Sequence, residues 1–453
     1  MRPFCVLLAV SCLLSAASAQ WLETTIQLPD SSYPVALCYN SLDDKVYSAN
    51  SLVDNVTVID GATNEVIATV ATGDCPQALC YNSQSNKVYA ANSGSDNVTV
   101  IDGATNEVIA TVPAGNYPQV FCYNPRNNKV YCGNRGTNVT VIDGATNEVI
   151  TTVPSGTNPW ALCYNPQNNK VYCANHESYN VTVIDGTTNQ VIVTLPAGSH
   201  PFSLCYNSQD NKVYCGNCFS KNLTVIDGTT NQVVTTVGCG GTPWDLCYDL
   251  QGDRVYVANF DAAAMNVIDG ASDSVVATVA VGSQPCAICF DAVNNKVYCG
   301  NFGGRSVTVI EAGSDSVLAT IEVGDHPTAL VHNPADNRVY VANEYSSSVS
   351  VLRDSIYSGI EERLEFVPLT ANGLRLTAQN IVRGVLELAP GKPGQSTTGQ
   401  SLVFLLDAAG RRVAELHAGS NDVSGLAPGV YFVRGQGSGG RGLGSVRKVI
   451  LAE

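Results

Sequence analysis

The stretch NVTVIDGATNEVIATV fills residues 55–70 and returns letter for letter at 97–112. Residues 138–153 repeat it with one change, Thr151, and degraded copies begin at Asn180, Asn222, Asn266, Ser306 and Ser348. A fixed internal period decides architecture before any single motif does. The register is clearest at a Lys/Arg-Val-Tyr tripeptide starting at Lys45, Lys87, Lys129, Lys170, Lys212, Arg254, Lys296 and Arg338, always 41 or 42 residues apart.

Within one period lie four short apolar runs. In the second copy these are QALCYN (77–82), KVYAAN (87–92), NVTVID (97–102) and EVIATV (107–112), separated by SQSN, SGSD and GATN. The separators are turn chemistry, and the runs show no helical period. Asp102-Gly103 reads as a tight turn in which glycine supplies a positive φ. Four strands per unit make one blade of a propeller, so the fold class is all-β and eight copies predict an eight-bladed β-propeller. The eighth copy has three strands, PTALVHN, NRVYVAN and SVSVLRD; its fourth is expected from LETTIQL (22–28) at the other end of the repeat region. Such closure removes an open edge that would invite aggregation.

NKVY followed by (A/G)N, then NVTVID and the VIATV run, resembles the YVTN-type β-propeller repeat of secreted and surface-layer proteins, across residues 21 to about 354. Many members of that family are described with seven blades, which keeps seven as the alternative to eight. The family has no single chemistry, and a fold does not fix a function.

At either end the pattern changes. MRPFCVLLAVSCLLSAASA (1–19) has one Arg, an apolar run too short to span a bilayer and Ala-Ser-Ala before Gln20, which reads as a secretory leader. A looser match at Cys12 gives a lipoprotein as the weaker alternative. No later apolar run approaches the length of a spanning helix. The net charge of −15 is uneven, −18 in residues 20–355 against +2 in 356–453, and such an acidic body repels nucleic acid and anionic lipid.

Beyond Asp354 the repeat stops. Residues 356–453 hold Gly- and Pro-rich breaks, then the alternating runs SLVFLLDAAGRRVAEL, APGVYFVRG and SVRKVILAE, the pattern of a small Ig-like β-sandwich. Asp407, Gly410, Arg411, Val413, Leu416, Gly429, Val430, Tyr431, Lys448 and Val449 resemble the C-terminal sorting domain of the type IX secretion system. The Asn-Pro usual upstream in that family is missing, since Ile381 follows Asn380. The resemblance implies the type IX machinery as partner and a destination outside a bacterial cell, secreted or held at its outer surface. The division expected is thus a leader (1–19), a propeller (20–355) and a linker with sorting domain (356–453).

Cysteine usage is unusual: 17 in all, of which Cys38, Cys80, Cys122, Cys163, Cys205, Cys247 and Cys289 recur in the first strand of a blade. In four blades a second cysteine lies ten residues on, a spacing that sets the two opposite each other if the hairpin register is even. Disulfides are expected at Cys122/Cys132, Cys163/Cys173, Cys205/Cys215 and Cys289/Cys299; the alternative is reduced, apolar filling. Cys215-Gly-Asn-Cys218 lacks the βαβ setting of a redox motif and reads as chance. His176, His200 and Glu177 fall in loops on one face, but scattered loop histidines are usually solvated, so no metal or cofactor is expected. Sequons at Asn55, Asn97, Asn138, Asn180 and Asn222 all start a third strand, which favours a structural role over glycosylation.

Function should reside where the repeat breaks. The residue after the loop proline of each blade is Val35, Gln77, Gln119, Trp160, Phe202, Trp244, Cys286 and Thr328 in turn, while Phe260 and Phe302 follow the (A/G)N of the sixth and seventh units. Trp160, Phe202, Trp244, Phe260 and Phe302 are therefore the candidate ligand-binding residues, clustered on one sector of one face. The leading expectation is a non-enzymatic binding or surface-structural protein for an extracellular glycan or protein, with no catalytic residue assigned. The alternative is a propeller enzyme, a lactonase, lyase or quinone-dependent oxidoreductase, which would need clustered His, Arg or acidic groups at the channel.

Overall fold

The computed structural model describes residues 20–354 and, further on, seven strands between Arg375 and Leu451. Residues 20–354 form eight four-stranded antiparallel sheets. Blade 2 is typical, with strand a at Pro76–Asn82, b at Lys87–Asn92, c at Asn97–Asp102 and d at Val108–Pro113, hydrogen-bonded in that order. Blade 8 takes a, b and c from Pro327–Asn333, Arg338–Asn343 and Ser348–Asp354, and its outer strand from Gln20–Gln27. The register there runs from Gln20 opposite Asp354 to Gln27 opposite Ser348. Eight blades closed by the N-terminal strand are what the sequence predicted.

Turn chemistry sets the register. A residue with positive φ closes nearly every turn, just before the strand at Asn86 (49°) and Asp96 (54°) and one residue earlier at Asn106 (63°), where Asn and Asp tolerate the left-handed region best. Asp102 Oδ1 accepts from the backbone N–H of Ala104 and Thr105, at 3.0 and 2.9 Å, which shapes the c–d turn. Gly103 serves close approach, not the positive φ expected of it: a Cβ there would sit 2.4 Å from Asn86 Oδ1 and 2.7 Å from Asn40 Nδ2, the latter in the preceding blade.

That approach lets each blade clasp the next. Tyr89 is fully buried, and its hydroxyl donates to Gly144 O and Asn147 Oδ1 in the c–d turn of blade 3, at 3.4 and 3.3 Å. Lys87 Nζ donates to Gly144 O, Ala145 O and Asn147 Oδ1 of the same turn, at 2.8–2.9 Å. The Lys/Arg-Val-Tyr repeat is thus a latch. Blades 5 and 6 make it ionic, Lys212 meeting Asp273 at 3.0 Å and Arg254 meeting Asp315 at 2.6 Å. At blade 7 the target differs, because blade 8 takes its outer strand from Gln20–Gln27. Asp354 is that target, taking Lys296 Nζ at 2.5 Å and Tyr298 OH at 2.8 Å. Arg338 seals blade 8 to blade 1 through Gly61 O and Ala62 O, and pairs with Glu23 at 2.7 Å through both Nε and Nη2.

The sequons belong to this scaffold. Asn50 Nδ2 donates to Asn55 Oδ1 (2.7 Å) and Thr57 Oγ1 (2.8 Å), so Asn-x-Thr is the acceptor pair for an asparagine of strand b.

The expected disulfides do not form. Cys122 stands opposite Tyr131, and Cys132 opposite Phe121, so the pair is one register step apart and on opposite sheet faces. The same offset separates Cys163 from Cys173, Cys205 from Cys215 and Cys289 from Cys299. All fifteen cysteines of residues 20–354 are free. Burial among apolar neighbours pushes the Cys80 and Cys163 thiols up to about 12, as suits inert filling.

The chain divides into two compact units between Gly359 and Ile360. In the second, Arg375–Val382, Val385–Ala389 and Gly419–Asp422 form one sheet; Arg412–Leu416, Val403–Leu406, Gly429–Gly435 and Val446–Leu451 form another. Gly429 and Tyr431 lie on one strand and Lys448 on its neighbour, opposite Phe432. Asp407, Gly410 and Arg411 lie outside the described residues, as does the leader.

Candidate binding site at the channel mouth

The a–b and c–d turns share the latched end of the propeller, and the b–c turns and d–a connections share the other. There one backbone bond recurs in all eight blades: the N–H of the residue after (A/G)N donates to the carbonyl of the residue before the loop proline, as in Ser93 to Cys75 and Phe260 to Thr242. Inside this clasp each blade holds three positions free to vary: the residue before the proline, the one after it, and the one after (A/G)N.

The middle position has its own geometry. Pro159 pairs with Asn175 and Ala161 with Ala174, leaving Trp160 as an extra residue in a bulge at the top of the innermost strand. Every blade has this bulge; in blades 5 and 6 it carries Phe202 and Trp244. Bulges re-aim side chains and favour functional rims. Nothing in the sequence marks them.

Around the mouth these side chains meet. Ring centroids are 5.1 Å apart for Trp160 and Phe202, 4.4 Å for Phe202 and Trp244, 4.6 Å for Trp244 and Phe260, and 6.3 Å for Phe260 and Phe302. All five candidate residues therefore join one unbroken array, within the range of aromatic pair contacts. The array is longer than the sequence suggested. His176 extends it beyond Trp160 at 5.3 Å, with His200 and Phe219 behind it at successive separations of 4.7 and 4.0 Å. At the other end Phe302 touches His326, which touches Tyr345, each at 4.1 Å, and Tyr345 reaches Tyr33 of blade 1 at 5.4 Å. The signal for His200, His326 and Tyr33 was their place just before the loop proline. They sit there at positive φ (57°, 58° and 50°), a strained conformation for large residues.

The polar groups within the arc are subdued. Burial lowers the His176 imidazole below its ordinary value, and His200 adds to the effect. His176 Nδ1 is buried without a partner, and Nε2 is 4.0 Å from Cys218 Sγ. His176, His200 and Glu177 make no metal centre: among the described residues no group of three such ligands converges. Beside Trp244, Asp245 fills a position that is Ala, Val or Ser in the other blades. Its carboxylate accepts from Ile288 N (2.8 Å) of blade 7 and from Leu246 N (2.9 Å), and desolvation pushes it up to about 6. No helix among the described residues is long and apolar enough to cross a membrane.

An eight-bladed ring with one end latched and the other variable defines a β-propeller repeat protein. A family model described as YNCE-like β-propeller matches residues 4–330, and the chain belongs to that family. No curated protein matches it. Among solved structures it is similar to the computationally designed Ika8 protein, with TM-score 0.62 and 18% identity over 74% of this chain and 99% of that one. It is also similar to the hydrazine synthase of Kuenenia stuttgartiensis (TM-score 0.54, 17% identity, 74% and 99%) and to Sqt1 of Saccharomyces cerevisiae (0.63, 11%, 73% and 99%). Such likeness extends to the fold alone.

Proposed function

We propose that the protein is a non-enzymatic binding module, exported through its C-terminal sorting domain, whose ligand seats on the aromatic arc at the channel mouth. One observation carries this reading: variable positions on neighbouring blades, from the fourth round to the first, converge on one array of rings, while the rest of each blade is held to a common pattern. Packing alone does not ask for this, since after the loop proline, where Trp160, Phe202 and Trp244 stand, the other blades carry Val35, Gln77, Gln119, Cys286 and Thr328. Large amphipathic rings grouped at a concave rim are the usual anchors of a ligand or partner. The leader-like 1–19 and the sorting motif ending in Tyr431 and Lys448 support a site of action outside the cell.

Trp160 and Trp244 lie in the arc, and the third tryptophan, Trp21, lies in the closing strand. Titrating purified protein with glycans and with proteins from the cell surface should give a saturable change in intrinsic fluorescence. The change should vanish in the Trp160→Ala/Trp244→Ala double variant. No change with any ligand would sink the binding role.

A further inference from the structure

Resting on that reading, the rest of the mouth narrows the ligand. Across the mouth from Trp160, Phe202, Trp244 and Phe260, the variable positions of blades 8, 1, 2 and 3 include five polar side chains, Thr328, Ser51, Gln77, Ser93 and Gln119, each of which already donates to a protein group. Gln119 Nε2 donates to Asn158 Oδ1 (3.0 Å) and Pro159 O (2.7 Å), and Gln77 Nε2 to Cys75 Sγ (3.0 Å). Each amide is anchored by its nitrogen, which leaves Oε1 as an acceptor. The hydroxyls of Ser51, Ser93 and Thr328 likewise donate to backbone carbonyls at 3.1–3.2 Å, leaving their oxygen lone pairs. The mouth thus joins an aromatic array to a set of acceptors held in place on blades 8, 1, 2 and 3.

Charge decides among the ligands this could suit. The propeller is strongly acidic, yet the three variable positions of its eight blades hold one anion, Glu344, and one cation, Arg135. A polyanion would gain little from one arginine against the field of the body, and a polycation would find only one carboxylate at these positions. What fits is an uncharged molecule with flat C–H faces to lie on the rings and many O–H donors to satisfy the acceptors.

We infer that the mouth binds a neutral carbohydrate chain, its sugar rings stacked along Trp160, Phe202, Trp244 and Phe260 and its hydroxyls donating toward Gln77 and Gln119.

The test titrates the full chain with neutral cello-, xylo- and manno-oligosaccharides, with alginate and chitosan oligosaccharides as anionic and cationic probes, and with an apolar peptide. A neutral sugar should bind saturably, and its Kd should move less than about twofold between low and high salt, because no ion pair is made. Trp244→Ala should weaken it more than about tenfold. Gln119→Ala should weaken it several-fold, because hydroxyl donors lose an acceptor. Binding confined to the charged sugars or the peptide overturns the neutral-carbohydrate assignment and leaves the mouth a binding site. Silence with every probe overturns both, as does binding that survives loss of Trp160 and Trp244.

Discussion

The two ends of the propeller are built from short turns on the same strands, yet they obey different rules. At the latched end Lys or Arg and Tyr recur in every blade and the Asp-Gly turn in blades 1 to 6, because each side chain must reach an equivalent target in its neighbour. At the mouth the three variable positions are tied in by a backbone hydrogen bond alone, from the residue after (A/G)N to the residue before the proline; the recurring side-chain bonds there, from the strand-b asparagine to strand c, do not involve them. A backbone contact puts no demand on side-chain identity. Variation is therefore free at one end and blocked at the other, which is why rings could accumulate around the mouth without disturbing the ring of blades.

The comparison breaks most visibly where the latch is improvised. Asp354 is 3% exposed and serves Lys296 and Tyr298 at once. Asp354→Ala leaves an ammonium group buried and unpaired, and should lower the unfolding free energy by about 3–5 kcal/mol in urea titration. A loss within about 0.5 kcal/mol would mean that the seam is not held by this residue.

A second experiment probes the mouth through pH. Asp245 has a folded value of about 6, above that of an exposed carboxyl, so between the two values the folded state binds more protons than the unfolded one. Stability should fall as pH rises from about 4 to 6 and level off above that. Asp245→Asn should remove that part of the slope, measured as urea midpoints across the window; an unchanged slope would show that Asp245 is not its source. Glu23 acts in the opposite sense. The Arg338 guanidinium holds its carboxyl low, so its contribution is present above its ordinary value and is lost as pH falls through the folded one.

The smallest effect tests uniformity. Tyr131 OH donates to Asn189 Oδ1 at 2.8 Å and to Gly186 O at 3.3 Å. Tyr131→Phe should cost about 1 kcal/mol, and the equivalent change at Tyr89 or Tyr172 should cost the same within a few tenths. Unequal losses would show that the blades are less interchangeable than their sequences.

The repeat made much of this legible. Spacing counted the blades and found the closing strand, and departures from pattern located Trp160, Phe202, Trp244, Phe260 and Phe302. What stayed hidden depends on register. A one-residue shift reverses every face of a strand, so the ten-residue spacing of Cys122 and Cys132 was compatible with pairing and with its opposite. The bulge at Trp160 has no signature in composition. The role of Lys87 was hidden for another reason, since its acceptors lie nearly sixty residues away in the next blade. Its constant phase with the Asp-Gly turn was the available clue.

The strand Gln20–Gln27 also sets an order in time. Every other strand of the propeller pairs with a neighbour in sequence, so blades 1 to 7 can each assemble as soon as their own residues exist, at the speed that local contacts allow. Blade 8 must wait, because Gln20 meets Asp354. Joining such distant ends is entropically mild once the intervening blades are stacked, for closure entropy rises only with the logarithm of the free loop. The first strand to be made is then the last to be placed, and until it arrives Ser348–Asp354 is an open edge that a second chain could take.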